Sequence, residues 1–153
     1  MWHTGCGREI NFKRILAQVR KHSSNDGKIF VGCDSQIIKN KCIFSTVICL
    51  HGAKEQRGGY YFFNREKLTS KEFPTVLLRL TKEVEKSIEM ASVISELGGD
   101  MDIEIHIDAS SKEGEKSSKI ADMLIGYARG AGFRCKIKPE AWASNSVADK
   151  HSK

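Results

Sequence analysis

The chain has 153 residues, 40% apolar and 29% charged, with a formal net charge of +6. That is the size and mix of one ordinary globular domain with a single core. The longest apolar stretch, IFSTVICL at 43–50, falls far short of the roughly 20 residues that cross a bilayer, and no leader peptide is visible, so no membrane partner and a cytoplasmic location are expected.

In chain order, the opening WHTGCGR reads as irregular. From Glu9 to about His22, apolar residues at Ile10, Phe12, Ile15, Leu16 and Val19 follow a helical stripe with basic residues opposite. SSNDG at 23–27 is dense in turn formers and ends that helix. KIFVGCDS (28–35), KNKCIFSTVICLHG (39–52) and QRGGYYFFNRE (56–66) read as three strands. The short links between them favour antiparallel neighbours, since a parallel crossover takes a dozen or more residues.

A long helix is expected over about 71–97, with Pro74 in its first turn and Gly98-Gly99 as its stop. MDIEIHID (101–108) alternates as a strand, SSKEGEKSSKIADMLIGYARGAG (110–132) gives a loop and a helix, and FRCKIKPE (133–140) is a last strand before the tail AWASNSVADKHSK. Three hairpin-linked strands followed by alternating helix and strand predict an α/β sandwich on a mixed sheet. The expectation is one domain over 1–153, with residues 1–27 as an N-terminal helical extension.

The five cysteines include no CxxC pair, so neither a disulfide framework nor a zinc knuckle is expected; reduced, structural thiols are. The basic surplus suits a polyanion such as nucleic acid, or simply a solvated basic surface.

Two of the strands end unusually. VGCDSQ (31–36) and IHIDAS (105–110) each run from apolar residues into an aspartate followed closely by a serine. Were the two strands neighbours, about 4.8 Å apart, Asp34 and Asp108 would share a site. Two carboxylates so close repel unless one keeps a proton or a cation joins them, and hard oxygen donors suit Mg²⁺ or Mn²⁺. Either aspartate alone reads equally well as a turn former or helix cap. On the long helix, Glu83 lies at the margin of the apolar stripe, with Glu85 as the runner-up. Asp149, in NSVADK, is a fourth candidate or else a polar tail residue.

This order of elements and acidic residues resembles the ribonuclease H-like superfamily. Within it, GCDSQ, the EVEKSIEMA helix segment, IHIDAS and SNSVADKHSK are similar to the YkuK-type family of predicted nucleases, from about Lys28 to the C-terminus. The resemblance implies a five-stranded mixed sheet of order 3-2-1-4-5 with helices on both faces. It also implies a two-ion Mg²⁺ or Mn²⁺ site held by Asp34, Glu83, Asp108 and Asp149. The implied activity is metal-dependent hydrolysis of phosphodiester bonds in RNA, DNA or a hybrid. Asp34 would bridge the two ions, Glu83 and Asp108 would serve one, and Asp149 would complete the other. A nucleic-acid-binding module without turnover is the alternative, and a scaffold whose acidic cluster is structural is a third reading.

Other residues carry less. Ser35 and Ser110 are expected to support the carboxylates or a phosphate. His106 suits a surface or inter-element hydrogen bond, and His151 either a proton shuttle or a mobile tail. Gly58-Gly59 reads as a turn or bulge, and half of the aromatics at 60–63 as core.

Overall fold

The computed structural model describes residues 1–110 and 115–153. Two short strands, β1 (Trp2–Thr4) and β2 (Glu9–Ile10), precede helix α1 (Phe12–Ser24). Strands β3 (Lys28–Ile38), β4 (Lys41–His51) and β5 (Tyr60–Thr69) follow, then α2 (Val76–Ser95), β6 (Asp102–His106), α3 (Glu115–Gly130) and β7 (Arg134–Lys136). A π-helical segment, Ala143–Ala148, runs directly into the short helix α4 (Asp149–Ser152).

The expected α/β sandwich forms on one mixed sheet of order β2-β1-β5-β4-β3-β6-β7. The expected five strands are contiguous in it, in the expected order, but the sheet has seven. The error lies at the N-terminus: Trp2–Thr4 pairs antiparallel with β5, and Glu9–Ile10 pairs with β1. Strands of two and three residues show no periodicity, so their sequence looked irregular. The expected helical extension therefore begins with a strand pair.

Local chemistry sets the helix starts. Asn11 accepts a hydrogen bond from the Lys13 N–H to cap α1, and Thr75 accepts one from the Leu78 N–H to cap α2. The Thr75 cap places Pro74 before α2 rather than in its first turn. The expected loop at 110–114 lies, from residue 111 on, outside the described residues.

Alternation along β3 assigns the two faces. Ile29 and Val31 join Ile15 and Val19 of α1, Val84, Ala91 and Ile94 of α2, and Ala121, Leu124 and Ala128 of α3 in the main core. Phe30 looks the other way, into a smaller cluster of Val47, Cys49, Phe63, Ala143 and Ala148 under the π-helical segment. Each fully buried large aliphatic side chain contributes about 1.5–3 kcal/mol.

Gly32 lies directly under that segment. A Cβ there would sit 2.8 Å from the backbone nitrogen of Ser144. The glycine in this strand therefore serves backbone contact with the layer above. All five cysteines are free thiols, and Cys33, Cys42 and Cys49 are buried.

Candidate functional site

The parallel pairing of β3 with β6, from Lys28↔Asp102 to Gly32↔His106, brings the chain after β6 alongside the second half of β3. Asp108 thereby comes to the side of Asp34. Asp34 is only 6% exposed, and its Oδ2 accepts a hydrogen bond from Ser152 Oγ of α4 at 2.9 Å. The Asp34 carboxyl is pushed up to about 7: burial is the main cause, and the neighbouring Asp108 and Asp149 carboxyls add to it, while the Ser152 hydrogen bond opposes it.

Ser35, one residue on, points to the opposite face. Its Oγ donates to Glu83 Oε1 at 2.8 Å, joining α2 to β3. Glu83 is 4% exposed, and its Oε2 has no hydrogen-bond partner among the described residues. Burial first, then the charges of Asp34 and Asp108, hold Glu83 well above the usual carboxylate range, against the Ser35 hydrogen bond and the Arg79 charge. Glu85 instead lies on the outer flank of α2, 3.2 Å from Lys82 Nζ.

The outer two carboxylates are compensated by lysines. Lys138 Nζ lies 2.8 Å from Asp108 Oδ1, and Lys153 Nζ lies 3.0 Å from Asp149 Oδ2, one turn along the C-terminal helix. All four candidate residues are thus drawn toward the end of the central strands, each perturbing or perturbed by another.

Two histidines weighed from the sequence support this end of the sheet. Of the two expectations for His106, the inter-element hydrogen bond is met, and the ring is buried. Its Nδ1 accepts the Ala143 N–H at 3.1 Å, and its Nε2 lies 3.1 Å from Glu104 Oε2. It thereby pins the start of the π-helical segment that leads to Asp149. His151 is no loose tail residue: its ring stacks on Phe63 at 3.7 Å and it is hydrogen-bonded to the Tyr61 hydroxyl at 2.9 Å. Gly32 inside a strand was the available signal for close backbone approach. Ser152 and Lys138 carried none, because each depends on a long-range contact.

A buried pair of carboxyls with an orphaned oxygen fits either a shared proton or a hard cation. The donor set, all carboxylate oxygens, fits Mg²⁺ or Mn²⁺ in its chemistry. No group of three or more His, Cys, Asp or Glu among the described residues is arranged to hold a metal ion as it stands. The carboxylates are tied to serines and lysines instead of converging on one point.

A profile of the family described as Ribonuclease H-like matches residues 11–153, nearly the whole chain. The chain belongs to the Ribonuclease H-like family. No curated protein and no solved structure matches it significantly. Among the described residues, no helix is long and apolar enough to cross a membrane.

Proposed function

We propose that this chain is a metal-dependent nuclease of the YkuK type, hydrolysing phosphodiester bonds in nucleic acid as a single domain in the cytoplasm. The observation that carries the proposal is the burial of Asp34 and Glu83 beside Asp108, with Glu83 Oε2 unpartnered. Burying carboxylates together is unfavourable unless a proton or cation offsets their charge. Family membership favours the cation.

In this reading Asp34, Glu83, Asp108 and Asp149 hold Mg²⁺ or Mn²⁺. Such ions, when bound, lower the pKa of the attacking water and stabilise the departing oxygen. The chain's own residues do the positioning. Ser35 orients Glu83, and Ser152 orients Asp34. His106, through Ala143, fixes the segment that carries Asp149. The basic surplus of the chain draws in the polyanion.

A second reading is a nucleic-acid-binding module with the same fold and no turnover. The lysine contacts to Asp108 and Asp149 favour it, because they compensate charge without a metal.

A Mn²⁺ cleavage panel separates the two. It uses labelled RNA–DNA hybrid, duplex RNA and DNA, single strands and a four-way junction, with wild type and Asp34→Asn side by side. Cleavage by wild type and loss in the variant, with the variant's Tm equal or higher, is expected. Binding without cleavage across the panel hands the function to the binding module.

A further inference from the structure

Asp108 neighbours the buried Asp34, and unlike Lys153–Asp149, an i,i+4 pair within one helix, the Lys138–Asp108 contact joins two separate chain segments. It is also placed by backbone. The Ile107 N–H donates to the Lys136 carbonyl and the Lys138 N–H donates to the Ala109 carbonyl, both at 2.9 Å. Pairing of the two chain segments thus continues past the ends of β6 and β7 and holds Lys138 beside Asp108. The ammonium lies 2.8 Å from Asp108 Oδ1, a close ion pair. The lysine side chain is 42% exposed and the aspartate 19% exposed, so the ammonium stands on the solvent side of the carboxylates.

We infer that Lys138 is the resident counter-ion of this site: it competes with a divalent cation for Asp108 and, once displaced, binds a phosphate oxygen of the nucleic acid. This rests on the metal-dependent reading above. An ammonium and a divalent cation cannot share one carboxylate oxygen without strong mutual repulsion. The flexible lysine stem lets the displaced charge turn outward without backbone movement. An anionic strand arriving at the same edge then offers the ammonium a phosphate oxygen. Metal and nucleic acid thereby assist each other's binding through one side chain, a reciprocal coupling by linkage.

The test is Mn²⁺ titration of the full chain, without nucleic acid, for wild type, Lys138→Met, Lys138→Arg and Asp34→Asn. Lys138→Met is expected to bind Mn²⁺ about tenfold more tightly, the lower end of what one charge at such range does to a neighbouring ionic equilibrium. Lys138→Arg should stay near wild type, because it keeps the competing charge. A short single-stranded DNA is then titrated over a range of salt, with Mn²⁺ present. For Lys138→Met the salt slope should fall by about 0.7, the loss of one phosphate contact.

Unchanged or weaker Mn²⁺ binding by a folded Lys138→Met, with Asp34→Asn deficient as expected, overturns the role of Lys138 and leaves the metal site standing. If Lys138→Met does not fold, Lys138→Gln decides: tighter Mn²⁺ binding with a lower salt slope upholds the role, and an unchanged metal affinity overturns it. Absence of Mn²⁺ binding by the wild type overturns both proposals together.

Discussion

The four acidic residues divide into two kinds. Asp34 and Glu83 are buried, accept hydrogen bonds from serines, and are pushed toward their neutral forms. Asp108 and Asp149 are more exposed and lie against lysine ammonium groups. A serine hydroxyl supplies direction but no charge, so the inner pair stays electrostatically unresolved. A lysine supplies charge with little direction, so the outer pair is already balanced. The difference leaves the inner pair without a compensating charge; in the proposed metal-dependent reading that is where a cation is called for, and Asp108 is where it takes the place of a lysine.

The largest expected effect separates the layers by force. Gly32→Ala places a Cβ against the Ser144 backbone at 2.8 Å, and backbone cannot yield as a side-chain tip can. Destabilisation of about 3 kcal/mol is expected, at the high end for overpacking, and denaturant melts measure it. The π-helical segment and Asp149 should be pushed off the sheet, while Glu83, held from the other face by Ser35, keeps its place. Hydrogen exchange should then show protection lost over 143–152 and kept over α2. Equal loss in both regions would mean that the two layers are one cooperative unit.

A smaller effect is electrostatic and belongs to the inner pair. The Asp34 carboxyl stands at about 7 in the folded chain, against about 4 when unfolded. Between those values the folded state holds the proton that the unfolded state has released, so stability falls as pH rises and levels off above about 7. Glu83, also raised, acts in the same direction. Allowing for partial solvent screening, the drop from Asp34 is roughly 2 kcal/mol. It is measured as unfolding free energy in chelator from pH 4 to 8. Asp34→Asn should flatten much of the slope. Stability that instead rises through this range would place the ionised form, not the neutral one, as the better accommodated.

How far the sequence reached follows the same division. The meander was legible because the links between its three strands are short, whereas the place of the fourth strand beside the first came only with the resemblance to the ribonuclease H-like superfamily. Glu83 was preferred to Glu85, which stayed the runner-up, by its angle to Leu80 and Val84 on one helix, a purely local quantity; its burial and the Ser35 contact are what set the two apart. The lysine partners, Ser152 and the anchoring of α4 were not legible. Ser152 and Asp34 are 118 residues apart, and no local period encodes their meeting. Asp149 stood between a site residue and a polar tail residue for the same reason: its place depends on His106, Phe63 and Gly32, each on a distant strand.

The smallest effects test whether direction or charge matters more at each layer. Ser35→Ala removes the only hydrogen bond that the described residues give to the Glu83 carboxyl, whose Oε2 is already without one. A buried acceptor left unsatisfied costs about 1–3 kcal/mol. Burial holds Glu83 toward its neutral form, and part of that cost is recovered wherever it keeps its proton, so the cost should grow as pH is raised. Lys153→Ala removes a contact between groups that are 59% and 37% exposed, and exposed i,i+4 pairs contribute about 0.3–0.5 kcal/mol. Urea melts of the two variants at low and high salt make the comparison, with the Lys153 effect shrinking in salt and the Ser35 effect holding, because a buried hydrogen bond is screened far less than a surface ion pair. A Lys153→Ala cost as large as that of Ser35→Ala would erase the distinction between the two layers, and would make the C-terminal lysine a structural counter-charge for the whole cluster.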